Sequence, residues 1–228
     1  MRDDARSEPA DELVGHDFHL SRRTQRGAHR SAPTAGAAPS LRAAEIEAHQ
    51  KRIARIAQAI AGELGWSESQ RNTLAAAAAA HDIGKLAVPR RVLWKPGPLN
   101  SFERRIVETH TVVGALLLVG KRGGWVAMAR RIALYHHERW DGRGYPRGLA
   151  GEAIPSAARI VAVADVYDAL THSRVYRPAF PEEPAVAFMR AQRARHFDPT
   201  VIECFLDLLP RLRSAGPEPG HQLAAQRA

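Results

Sequence analysis

The chain has 228 residues, 45% of them hydrophobic, which suits one ordinary domain with a full core plus tails. Its single cysteine, Cys204, excludes an intrachain disulfide and a thiolate zinc site, and its longest aliphatic run, about Val112 to Val119, is far too short to span a bilayer. A net charge of +9 and a pI near 10.5 attract polyanions in general, but the arginines are scattered and no nucleic-acid motif accompanies them, so no specific nucleic-acid partner is expected.

Residues 1–40 carry six basic and six acidic groups, lack an apolar period and close on the Ala/Pro-rich stretch Ser31–Pro39, so they are expected to form a disordered arm. The start, Met1-Arg2-Asp3-Asp4, has no apolar signal region, and with the lone cysteine this points to a cytoplasmic protein without a membrane anchor. From 41 to 213 nearly every segment has helical period, with helices expected at about 41–64, 68–83, 101–119, 123–138, 156–173, 182–194 and 198–212. The fold class is therefore all-α, a bundle of about seven helices, followed by a flexible tail over 214–228. Ser67 and Ser101 read as N-caps, although Ser101 has Arg104 where a capping-box acid would sit. Two irregular stretches, 84–100 and 139–155, directly follow clusters of polar side chains, where functional loops are expected.

Those clusters are the chemical signal. Glu45 and His49 are four apart on a predicted helix and share a face; alone, such a pair is more often a surface salt-bridge pattern than a metal site. His81-Asp82 ends an alanine-rich apolar helix, where polar groups need compensation and a metal is the natural one. His110 follows a helical stretch, His136-His137 ends another, and Asp165 is a lone carboxylate in the apolar run Arg159–Asp165. One such histidine is usually a satisfied core residue; five of the eleven, with Asp82, Asp165 and Glu45, are hard to explain without metals. Imidazole and carboxylate without sulfur favour iron or manganese, with zinc open. A carboxylate such as Asp82 can bridge two ions about 4 Å apart, an arrangement suited to phosphodiester hydrolysis. Lys85, four after His81, can offset charge developing on a phosphate, and Gly142 and Gly144 permit a tight loop with close backbone approach. Asp168 reads equally as support for a ligand or as an exposed helix carboxylate.

His81-Asp82 resembles the pair that names the HD phosphohydrolase superfamily, and His136-His137-Glu138-Arg139-Trp140-Asp141-Gly142-Arg143-Gly144-Tyr145-Pro146 resembles the HHExxDGxGYP stretch of its HD-GYP branch. His81–Pro89, Lys95–Gly97, Ile154-Pro155, Ala164–Thr171 and Phe197–Pro199 are similar too, so the resemblance covers about 43–210. It implies an HD-domain helical bundle and hydrolysis of cyclic di-GMP to pGpG and on to GMP, as part of bacterial second-messenger signalling. It also implies metal ligation by His49, His81, Asp82, His110, His136, His137 and Asp165, with Glu45 the extra carboxylate of a three-metal site, so two or three divalent ions in all. Lys85 is then the lysine at the scissile phosphate, Asp82 is catalytic through its ions, and Tyr145, Arg174 and Arg177 fall where the dinucleotide is contacted, beside Gly142 and Gly144. Arg90, His172-Ser173, Val175 and Ala194 depart from the family pattern without removing a ligand. Two other readings follow from the same residues: an HD-type hydrolase of another cyclic dinucleotide or nucleotide, and a non-catalytic signalling module that binds a diguanylate cyclase through the Gly-Tyr-Pro loop.

Overall fold

The computed structural model describes residues 39–172 and 179–214, with side chains from residue 43 onward. The regular elements of the described residues are helices: α1 (Pro39–Glu63), α2 (Glu68–Ala78), α3 (Arg90–Leu93), α4 (Ser101–Glu108), α5 (His110–Leu117), α6 (Val126–Tyr135), α7 (Ser156–Thr171), α8 (Glu182–Ala191) and α9 (Pro199–Ser214), with 3₁₀ turns at Ile83–Ala87 and Gly151–Ala153. Among the described residues the only β pairing is two isolated bridges, Asp141 to Ala150 and Arg193 to Phe197. The all-α expectation therefore holds. The arm and tail lie outside the described residues, except that Pro39, Ser40 and Ser214 are helical.

α7 is the central element. Its residues Ala157, Ala158, Ile160, Val161, Ala162, Val163 and Ala164 are all buried, so its first half is enclosed on nearly every side by other elements. α1 lays the stripe Ile53, Ile56, Ala57, Ile60 and Ala61 against α2 and α7. α6 packs on α2, α5 and α7, and α9 closes the bundle against α1 and α7. The small residues Ala77, Ala78, Ala129 and Ala133, all buried, line the helix contacts around α2 and α6. No helix among the described residues is long and apolar enough to cross a membrane.

Several boundaries differ from expectation. Ser67 caps α2 in a full capping box with Gln70. The cap of α4 is not Ser101 but Asn100, whose side chain accepts from Glu103 N–H while the Glu103 carboxylate accepts from Asn100 N–H. The helix expected over 101–119 is interrupted at Thr109. There Thr109 Oγ1, His110 Nδ1 and Thr111 Oγ1 donate to the carbonyls of Ile106, Val107 and Glu108, so side chains compete with the backbone for three consecutive acceptors. The stretch 84–100 is not wholly irregular: it contains the first 3₁₀ turn and α3, held by a small apolar cluster of Val88, Val92, Leu99 and Val107.

Candidate metal centre

Five separate places in the chain deliver the predicted ligands to one region. His49 comes from α1, His81 and Asp82 from the turn after α2, His110 from the first position of α5, His136 and His137 from the end of α6, and Asp165 from the middle of α7. They form two groups, Asp82 with His110, His136 and His137, and His49 with His81 and Asp165; within each, the candidate ligand atoms lie within 4.8 Å of one another. Asp82 joins the groups. Its Oδ1 is 3.4 Å from His110 Nε2 and 3.6 Å from His136 Nε2, and its Oδ2 is 3.3 Å from His81 Nε2. His81 Nε2 is also 3.9 Å from Asp165 Oδ1, which lies 3.7 Å from His49 Nε2.

The imidazoles are oriented by their other nitrogen. His81, His110 and His136 direct Nδ1 at the carbonyls of Ala78 (2.9 Å), Val107 (2.7 Å) and Ile132 (2.9 Å). A carbonyl oxygen only accepts, so Nδ1 carries a proton and Nε2 is turned inward. His49 achieves the same with Asp168, whose Oδ2 is 2.7 Å from its Nδ1. Asp168 is thus a supporting carboxylate, wholly buried, not an exposed one. Burial acts to raise its pKa, but hydrogen bonds from His49 and Arg52 outweigh that and hold it well below the usual carboxylate range.

The donor set fits divalent metal ions. His81 Nε2 and Asp82 Oδ1 are buried without a hydrogen-bond partner, at the points where the ligand atoms converge. The local charge agrees. Burial would lower the pKa of His81, yet the Asp82 carboxylate, helped by Asp165, pushes it up to about 9. His136, where burial and neighbouring His137 dominate, is pushed down to about 3 and stays neutral. Asp82 and Asp165 thus bring carboxylate charge, and neutral His136 a lone pair, to the place where a cation would be held.

Glu45 joins neither group; residues 43–47 of α1 are all exposed. Lys85 places Nζ 2.7 Å from Asp82 Oδ2, at the edge of the centre. The Tyr145 ring stacks on His137, with centroids 4.8 Å apart and planes 20° apart. Arg174 and Arg177 lie outside the described residues. Gly142 has φ +77°, and at Gly144 a Cβ would come within 2.4 Å of the Arg139 nitrogen, so both positions of the loop require glycine.

Other residues that matter carried little sequence signal. Glu138, only 2% exposed, accepts from the backbone N–H groups of Arg147 (2.8 Å) and Leu149 (2.9 Å) and so pins the Gly-Tyr-Pro loop. The N–H groups of Trp140 and Asp141 donate to the carbonyls of His196 and Arg195, tying the loop to the turn between α8 and α9. Gly84 lets the turn after Asp82 press on α5, for a Cβ there would fall 1.9 Å from the His110 carbonyl oxygen. Arg52, three residues after His49, carried no such signal, because its partner Asp168 is 116 residues away.

With this geometry in hand, comparison with known proteins is specific. The family model described as HD domain matches residues 9–201. The chain is 46% identical over 156 residues to the cyclic di-GMP phosphodiesterase response regulator RpfG of Xanthomonas campestris pv. campestris, covering 68% of this chain and 41% of that protein. It is 38% identical over 170 residues to 3'3'-cGAMP-specific phosphodiesterase 2 of Vibrio cholerae, covering 75% of this chain and 33% of that protein. The chain thus spans well under half the length of these curated relatives. Among solved structures, an HDGYP protein from Bdellovibrio bacteriovorus shares the fold, with a TM-score of 0.57 at 21% identity over 72% of this chain and 52% of that one. The chain belongs to the HD domain family.

Proposed function

We propose that this chain is a metal-dependent phosphodiesterase that hydrolyses cyclic di-GMP, opening one 3′–5′ phosphodiester to give pGpG and acting again to give GMP. The observation that supports it is the placing of Asp82, which turns one oxygen toward His110 and His136 and the other toward His81. That arrangement suits a shared carboxylate between two metal ions. The ligands' donor types favour iron or manganese, and the seven side chains of the two groups favour two ions over three, with Glu45 left outside. The chemistry such ions supply is Lewis-acid polarisation of the phosphate and activation of water.

The chain's own residues do the rest. His81, His110 and His136 are almost wholly buried, so the floor of the site excludes bulk water and strengthens electrostatic contacts there. The Lys85 ammonium, paired with Asp82 at rest, is close enough to turn to a phosphate oxygen as charge develops on it. Tyr145, seated on His137, forms the wall of the substrate side, while Gly142 and Gly144 let the loop backbone approach closely. Arg174 and Arg177 supply guanidinium forks for the second phosphate or a guanine edge.

A second substrate has specific support, since relatives 38% and 40% identical are named 3'3'-cGAMP-specific phosphodiesterases. Anaerobically purified protein, loaded with iron(II) or manganese(II), should therefore be assayed against cyclic di-GMP and 3'3'-cGAMP side by side. A higher kcat/KM for cyclic di-GMP is the expected result. Preference for 3'3'-cGAMP would move the assignment to that substrate. Loaded protein inert toward both, yet binding a diguanylate cyclase, would replace the enzyme by a signalling module acting through the Gly-Tyr-Pro loop.

A further inference from the structure

Asp168 joins two parts of the molecule. It is fully buried and receives donors from both: on one side His49 and Arg52 of α1, on the other His172, which follows the end of α7. His49 Nδ1 lies 2.7 Å from Oδ2, and His172 Nδ1 lies 3.1 Å from Oδ1. Arg52 engages both oxygens, Nε on Oδ1 and Nη2 on Oδ2 at 3.1 Å. A buried carboxylate is costly unless its lone pairs are filled, and this one has four such contacts.

The contrast with the other ligands gives Arg52 its meaning. His81, His110 and His136 each find their Nδ1 acceptor on a carbonyl three or four residues earlier, so local backbone orients them. His49 instead depends on a side chain 119 residues away. A carboxylate held by one imidazole could rotate about its own bond; a guanidinium fork across both oxygens fixes its plane. With Oδ2 so fixed, the His49 Nδ1–H has its acceptor and Nε2 is left facing Asp165 and His81.

We propose that Arg52 is a positioning residue that acts through Asp168 to hold His49 in ligand orientation, and so governs occupancy of the His49–His81–Asp165 half of the centre while leaving the other half alone. The role rests on the metal centre proposed above, but not on which substrate it serves. A lysine in this place would keep the charge and lose the fork.

The test is manganese binding by the full chain, measured without substrate for wild type, Arg52→Met and Arg52→Lys. In Arg52→Met one of two ions should bind about 10–100-fold more weakly, the range found when supports of a ligand are removed, while the other keeps its affinity. The electron paramagnetic resonance spectrum should change from a coupled ion pair to an isolated ion. Arg52→Lys should show the same selective loss, only smaller. Metal-free thermal midpoints, read in parallel, separate this from general damage, which would weaken both ions together. Equal weakening of both ions, wild-type affinity for both in Arg52→Met, or a lysine variant with wild-type affinity for both would each overturn the proposal. Should Arg52→Met not fold, Arg52→Lys alone decides, by selective against uniform loss. Wild type that binds two manganese ions yet hydrolyses no cyclic dinucleotide would sink the proposed function and leave the role of Arg52 standing.

Discussion

Asp82 and Lys85 are joined by a 2.7 Å contact, yet their removal should have different consequences. Asp82 faces candidate ligands of both groups, so Asp82→Ala should lower bound metal and cut turnover by roughly 10³-fold, several kcal/mol of transition-state charge stabilisation. Lys85 belongs to neither group, and Lys85→Met should keep its metal while kcat falls about 10²–10³-fold, as when one preorganised donor to developing charge is deleted. Metal analysis and kinetics on both variants check the pair. Metal loss in Lys85→Met would turn that lysine into a structural partner of Asp82. Wild-type metal content and activity in folded Asp82→Ala would remove the shared carboxylate from the mechanism.

The Gly-Tyr-Pro loop contains only one short 3₁₀ turn, yet several of its backbone N–H groups are satisfied by Glu138 and by the turn after α8. Glu138→Ala would strand two N–H groups beneath the loop at about 1–3 kcal/mol each where they stay buried. The expected result is a lower thermal midpoint and a raised KM with metal content retained, and Glu138→Gln should fall between. An unchanged midpoint would mean that the loop does not depend on this residue. The turn on the other side carries its own strain. Ala194 sits at φ +59°, a region alanine enters at roughly 1–2 kcal/mol. Ala194→Gly should relieve that cost, less the entropy glycine adds to the unfolded chain, and raise the midpoint by about 1–3 °C. A lower midpoint would show that the methyl group packs more usefully than the backbone strains. These elements also mark what the sequence made legible. Helical period located the helices, and the concentration of imidazole beside apolar runs picked out the side chains that converge, because both are local patterns. The break at Thr109, the cap at Asn100 and the Arg52–Asp168 fork depend on which acceptor wins a competition or on residues 116 apart, and no local pattern carries that. Glu45 marks where spacing stops informing: it shares a helical face with His49, but it lies in an exposed part of α1 and outside both groups.

Across the whole molecule the candidate ligands run from His49 to Asp165 and come from the turn after α2 and from or beside α1, α5, α6 and α7, so bound ions would clamp elements distant in sequence. A clamp of this kind stabilises the native state alone, because the unfolded chain cannot gather residues so distant in sequence. At a free metal concentration of 100 times Kd, linkage supplies about 2.7 kcal/mol per site. Two sites in a domain of this size should then raise the midpoint by on the order of 10 °C. Stripping the protein with a chelator and reloading it with manganese, followed by calorimetry, is the direct measurement. The competing account treats the cluster as a structural network of buried polar groups, in which a proton on His81 balances Asp82 and Asp165. That account predicts the same midpoint with and without metal, since nothing binds the folded state preferentially. The two accounts also differ in Asp82→Ala: a metal clamp makes the reloading shift collapse in that variant, whereas a proton-balanced network makes the metal-free protein itself lose stability, because His81 is left with a buried charge and a missing partner.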